Sequence, residues 1–556
     1  MSFGILQTFF TLNNMTKIRQ EINITNRVID STSDDNELVQ LDTTQYNGAT
    51  YYFECVGSAS VTDSVTLRRS GTTTDDATVT FTGGAGVSLQ RSSSFTPPAG
   101  QTVYMIHSTS IFANIKSARI IILQDATNIT STETQIEICG TGNSTTTSTT
   151  AVAISQPKYW KYTSANWDGV ITVYFEATFK SGTSKSAATV SLQVADGTGD
   201  GFTGWADVTS SPITTTATVP TRVRSGAITL TAGRNYRAAF MCASSKSATT
   251  IYDAKIVLDQ VGSQSTYYFD ASQAGPTDAQ SVWTNDANAF DGNTATAATT
   301  TTATSGDLNR LNGTGTTAPT TGDTIVSVQA RLYGKQSAGG GSSYADIYYS
   351  GGSSLGAPFV NSTVDVWSAY VTLTVPSGGW DWSKVNSLEA RVSSGVGTIT
   401  SSTYRVEVLV TYGSVTKLES QYLLVNTLSG GTGLKTYLTK WDSTEWSGVT
   451  NVYSHAIDAN NGETNVSEID TAGGVQVTGS VVSSPDNQGI SSAMTMPSDQ
   501  DLDANYTSIP SQAPYGSRIL VAVSVDAAAE EEITVTDVSS SLVDGGAAYS
   551  GGYQSY

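Results

Sequence analysis

The chain has 556 residues, 38% hydrophobic and only 14% charged, with 48 acidic against 28 basic side chains and a net charge of −20. That length exceeds what a single core serves, so several domains are expected. The acidic balance excludes nucleic-acid binding through a generally basic surface, and so few charges exclude a disordered polyelectrolyte.

No run is long and apolar enough to span a bilayer. Cys55, Cys139 and Cys242 are an odd number and give no disulfide framework. Cys55 and Cys242 sit in apolar strand-like runs and read as buried thiols. Residues 1–14 form an apolar N-terminal segment without a basic leader or a small-residue cleavage site, and Met15 is a second natural start. A chain of this composition without an export signal is the expectation for a virion protein, released by lysis.

Residues 15–140 are expected to form a first sandwich. Its key stretch is Tyr46-Asn47-Gly48 followed by Ala49-Thr50-Tyr51-Tyr52-Phe53. Asn-Gly marks a tight turn, and the β-branched and aromatic run after it marks a strand. The pattern returns as Trp167-Asp168-Gly169 before Val170–Phe175, and as Trp446-Ser447-Gly448 before Val449–Tyr453. Residues 151–263 form the second expected sandwich, after a Ser/Thr-rich connector at 143–150. Ala232-Gly233 and Ile251–Leu258 there echo Ala99-Gly100 and Ile115–Leu123, which points to duplication.

Residues 264–413 are a third module of different pattern. Its strand Tyr404–Val410 puts Arg405 and Glu407 on one face and Val406, Val408 and Val410 on the other. Residues 417–537 return to the first pattern, and 538–556 are a Gly/Ser/Tyr-rich tail. Helical signals are scarce. Short strands at regular spacing predict an all-β protein of tandem antiparallel β-sandwiches, jelly-roll-like.

Two loops gather oxygen ligands for a hard cation. In the first, Asp196, Thr198 and Asp200 alternate with glycines, and Asp207 falls where an EF-hand loop closes; a polar hairpin is the alternative. The second holds Asp286 and Asp291. Calcium is the expected ion. Trp205, Trp380 and Trp382 lie in Gly-rich or turn-like stretches, where exposed rings would stack on sugars. Two histidines in different modules, and no nucleophile elbow or phosphate loop, leave no recognisable catalytic set.

The stretch Asn288-Ala289-Phe290-Asp291-Gly292-Asn293 resembles a loop of discoidin-type, galactose-binding-like jelly rolls. That resemblance implies a structural calcium and sugar-binding loops at one end of the sandwich. The string of modules resembles phage fibre and capsid-decoration proteins. It implies a non-enzymatic virion-surface protein that self-associates or joins other virion subunits and binds host glycans. A secreted or cell-surface adhesin with carbohydrate-binding modules is the alternative, and a glycan-cleaving enzyme a third. Exposed sheet edges and residues 2–14 would supply the self-association.

Overall fold

The computed structural model describes residues 17–25, 37–108, 113–126, 129–139, 144–154, 159–197, 204–269, 277–278, 282–301, 308–310, 324–339, 342–349, 353–394, 399–425, 433–446, 449–457, 465–471, 474–484, 488–498, 500–508 and 516–524. The N-terminal segment 1–14 and the tail 538–556 lie outside them. Among the described residues the chain is antiparallel β-structure with short 3-10 turns and one short helix, Trp382–Asn386. Among the described residues no helix is long and apolar enough to cross a membrane.

The strands sort into four two-sheet sandwiches. The first uses Lys17–Thr25, Val39–Asp42, Thr50–Ala59, Asp63–Arg69, Asp75–Phe81, Ser88–Arg91, Gln101–Ser108 and Ala113–Asp125. Counted within the sandwich, one sheet has the order 1-8-3-6 and the other 2-7-4-5. This is the jelly-roll order, in which consecutive strands cross between the sheets except at the hairpin of strands 4 and 5. The fourth sandwich, from Lys417–Val425 to Gly516–Ser524, repeats both orders strand for strand. The second and third do so with some strands split in two. Strand Ser131–Glu137, read from sequence as part of the stretch ending at 140, pairs with Thr249–Val261 and so belongs to the second sandwich's sheet.

Alternation explains the cores. Phe53, Cys55, Ile120 and Ile122 point between the sheets of the first sandwich, and Val328, Ala330, Leu332, Val406 and Val408 do the same in the third. All three cysteines are buried.

The repeated stretch stands at one topological position, just before strand 3, as Tyr46–Gly48 in the first sandwich and Trp167–Gly169 in the second; in the fourth, Trp446 holds the same place and 447–448 lie outside the described residues. It is not a hairpin. A 3-10 turn (Thr43–Gln45, Ser164–Asn166, Ser443–Glu445) ends strand 2 of one sheet and leads into strand 3 of the other. Only the glycine takes left-handed backbone, φ +64° at Gly48 and +65° at Gly169. A Cβ on Gly169 would meet the Val261 carbonyl at 2.2 Å. The residue before the glycine fastens the next sandwich. Asn47 Oδ1 accepts from the Thr130 amide (3.0 Å), and the Asp168 carboxylate accepts from the Thr416 amide (3.1 Å). In the third sandwich, Phe290-Asp291-Gly292 closes a 3-10 turn placed earlier, before Ala298–Thr300, which pairs with strand 8.

Candidate functional site: the outer sheet faces

The outer face of the 1-8-3-6 sheet is the surface on which the four sandwiches differ. Its central station is a cross-strand pair between strands 3 and 8: Glu54 opposite Arg119, Glu176 opposite Lys255, Arg331 opposite Glu407, and His455 opposite Arg518. In the first three sandwiches the strand-8 member of this station lies three residues after an extra, bulged residue of that strand, Lys116, Tyr252 and Tyr404. A serine locks the same place in all four. Ser92, Ser225, Ser368 and Ser491 each accept, through Oγ, the backbone N–H of strand 3 (Phe53, Phe175, Leu332 and Ser454, 2.9–3.0 Å).

In three sandwiches this face is covered by a neighbour. On the first, Glu445 from the fourth sandwich's 3-10 turn pairs with Arg19 and Arg91, and Thr439 accepts from Arg119 (3.2 Å). Burial alone would raise Glu54, but Arg119, Arg19 and Arg91 outweigh it and hold its carboxyl at about 2. On the second, the first sandwich supplies the carbonyls of Asn23, Leu38 and Gln40 to Lys255, Thr178 and Gln135, and Tyr46 donates to the Glu133 carbonyl (3.0 Å). On the fourth, the second sandwich's Trp160 and Asn166 donate to the two oxygens of Glu419 (2.9 and 2.8 Å), while Arg518 donates to the Glu137 and Tyr159 carbonyls.

The covering is cyclic: fourth on first, first on second, second on fourth. The three first strands meet at the centre. Gln20 donates to Thr134 Oγ1 (3.0 Å), Thr134 to the Glu419 carbonyl (3.2 Å), and Gln421 to the Gln135 carbonyl (2.7 Å). Ile18 and Leu418 share one apolar cluster with Ile129 and Val415. Three sheet edges that would otherwise lie open are thereby used.

The third sandwich is inserted between the second and the fourth. It leaves and returns side by side: a Cβ on Gly262 would meet the Tyr412 carbonyl at 2.4 Å. Its 1-8-3-6 face is half-open and carries rings. Where the first two sandwiches place Arg91 and Arg224 before the locking serine, it has Trp367. Arg331 lies 4.0 Å from the Trp367 ring centre and 4.5 Å from that of Tyr370. Tyr333 packs on Trp367 (5.0 Å) and on Tyr404 (5.4 Å). Arg331 and Arg405 both reach the buried Glu407, and Lys335 pairs with Asp365 (3.1 Å). The side chains of Arg331 and Arg405 are 28% and 23% exposed, against 0–1% for Arg19 and Arg119 and 25% for Arg91 on the first sandwich.

The sequence-derived candidates are scattered. Trp382 packs edge-on against Tyr412 (5.1 Å) and Tyr267 (6.2 Å), and with Trp380 lies against the third core. Trp205, on the second sandwich, is stacked on Tyr159 (5.7 Å) and capped by Arg237 (4.0 Å) beside a cleft of about 460 Å³. The three tryptophans therefore form no common platform; two serve packing, because turn context marked them but core neighbours claimed them. Thr198 and Asp200 lie outside the described residues. Asp207 accepts from Ser191 (2.9 Å) and Gln193 (3.1 Å), two residues down the hairpin from Trp205's partner Ala195. Asp286 accepts its neighbour Ala287's amide, and Asp291 accepts the Asn293 amide (2.7 Å) and the Thr296 hydroxyl (2.5 Å).

The ring face was not read from sequence. A signal for it exists: Ser-x-x-apolar recurs as Ser92–Phe95, Ser225–Ile228, Ser368–Val371 and Ser491–Met494. Only in the third copy is the intervening residue a large ring, Tyr370.

No family model and no curated protein matches the chain. Among solved structures, it is similar to the N-terminal CBM22-1–CBM22-2 tandem domain of Paenibacillus barcinonensis Xyn10C, at 12% identity, covering 50% of this chain and 97% of that one, with a TM-score of 0.17. It is also similar to the structure of Sulfolobus Turreted Icosahedral Virus, at 12% identity, covering 68% and 82%, with a TM-score of 0.15. The fold itself defines the chain as a tandem jelly-roll protein.

Proposed function

We propose that this is a non-enzymatic structural and adhesive protein of a virion surface, in which three sandwiches form a rigid base and the third presents a glycan-binding face. The observation that carries this reading is the contrast between equivalent faces. Three are closed by neighbours within the chain; the fourth is left half-open and is furnished with Tyr333, Trp367 and Tyr370. Rings presented in this way offer large, rigid, amphipathic contact area. Assembly with further copies or other virion subunits belongs to the same reading.

The test is a glycan array probed with the full chain and with Trp367→Ala. Binding to a defined set of glycans, lost in the variant while its melting temperature holds, supports the reading. Equal binding by both proteins sinks the site. Detection of the chain in purified particles tests the location.

A further inference from the structure

We propose that the ligand of the third sandwich's face is an acidic saccharide, whose carboxylate is taken by Arg331 and Arg405 while its sugar ring lies on the neighbouring aromatics. This rests on the glycan-binding reading above and names the ligand class.

The chain contains its own precedent. The first sandwich's face carries three cations, Arg19, Arg91 and Arg119, against two carboxylates, Glu21 and Glu54. One positive charge is left over, and Glu445 from the covering sandwich supplies the missing carboxylate by meeting Arg19 and Arg91 together. The third sandwich's face repeats that balance at the same station. Arg331, Lys335 and Arg405 stand against Glu407 and Asp365. Lys335 is matched by Asp365. Glu407 is divided, with Oε1 to Arg331 and Oε2 to Arg405 (3.1 Å). Two guanidiniums thus share one carboxylate; Arg405 also donates through Nη1 to the Gly292 carbonyl (3.1 Å), and its buried Nε–H meets no acceptor among the described residues. No covering carboxylate like Glu445 is described here.

The rings decide how an anion would be met. The Arg331 guanidinium lies over the Trp367 and Tyr370 rings, and its Nε and Nη2 both meet Glu407 Oε1, so it is held in place. A fixed planar fork favours a carboxylate over a spherical charge. The surroundings sharpen the choice. A chain of net charge −20 repels anions over most of its surface. A local excess of cations on an aromatic floor is where an acidic sugar is admitted.

The experiment is calorimetric titration of the full chain with an oligogalacturonate and with the same oligosaccharide after carboxyl reduction, at low and at high salt. The acid form is expected to bind about tenfold tighter or more, as one charge-assisted hydrogen-bonded pair provides. The advantage should shrink with salt. Arg331→Gln should abolish the advantage, while Trp367→Ala weakens both ligands. Arg331→Lys, which keeps the charge without the fork, should restore it only in part, and the salt dependence of the unaltered protein stands even if a variant misfolds. Equal binding of acid and neutral forms overturns this inference and leaves the glycan-binding reading intact. Binding of neither overturns both. So does a concentration-dependent rise in mass that Trp367→Ala removes, because the face would then be occupied by a second copy.

Discussion

Arg19 and Glu445 stand 426 residues apart in the chain, and their side chains meet in a buried ion pair between the first and fourth sandwiches. Arg91 joins the same carboxylate, and Arg119 and Glu54 complete the cluster beneath it. Removing one partner leaves a buried charge uncompensated, which costs far more than the intact pair contributes. Glu445→Ala is therefore expected to destabilise the first–fourth interface by about 3–5 kcal/mol. Denaturant unfolding with a probe in each of these two sandwiches checks it. A loss within the error of the measurement would show that the cluster is solvated.

The same cluster sets an acid limit. Glu54 has its carboxyl held at about 2, below its unfolded value. Its contribution is complete above the unfolded value near pH 4.5 and is lost as pH falls through 2. Stability should drop on acidification across that window, and Glu54→Gln should flatten the drop. Melting temperatures from pH 5 to pH 2 give the comparison.

At the first–second interface the sign is opposite. Burial pushes Glu133 up to about 8, with the Asp259 charge adding to it and Arg224 opposing; Glu176 and Tyr46 also face it. The folded state therefore holds a proton that the unfolded chain releases near pH 4.5, and stability falls as pH rises from there through 8. Melting curves at pH 6 and pH 9 should differ in this direction, and Glu133→Gln should remove part of the difference. A Glu133→Gln protein with an unchanged pH profile would place the titration elsewhere.

The serine lock makes a local prediction. Ser225 Oγ accepts the Phe175 amide at 2.9 Å and donates to the Gly226 carbonyl at 2.6 Å. Ser225→Ala strips a strand-3 N–H of its acceptor and should cost about 1–3 kcal/mol. Hydrogen exchange at the Phe175 amide should quicken while exchange in the third sandwich holds.

Calcium remains a proposal for the loops Asp196 to Asp207 and Asp286 to Asn293. A ligand that binds the folded chain alone raises its stability with concentration. Melting temperature should be higher in millimolar-scale calcium than in chelator, the range of weak extracellular sites. Asp200→Ala and Asp291→Ala should each remove part of the gain. Superimposable curves with calcium and with chelator would make both loops ordinary turns.

Local chemistry carried much of this fold into the sequence. Period-two alternation at Tyr404–Val410 fixed which side chains face the core, because a strand has only two faces. The aromatic-x-Gly stretch marked the approach to strand 3, because only glycine takes φ +65° without strain where Gly169 crowds the Val261 carbonyl. Alternation cannot say what lies beyond the outer face. Glu54, Glu176 and Arg331 occupy one station and look alike as outward polar residues. Yet Glu54 and Glu176 are 0% and 3% exposed, and the Arg331 side chain is 28% exposed. That difference is made by neighbours hundreds of residues away, through contacts that leave no periodic trace along the chain. The strands and their inner faces were written locally. Which outer faces close on one another, and which one stays half-open, was decided only when the sandwiches met.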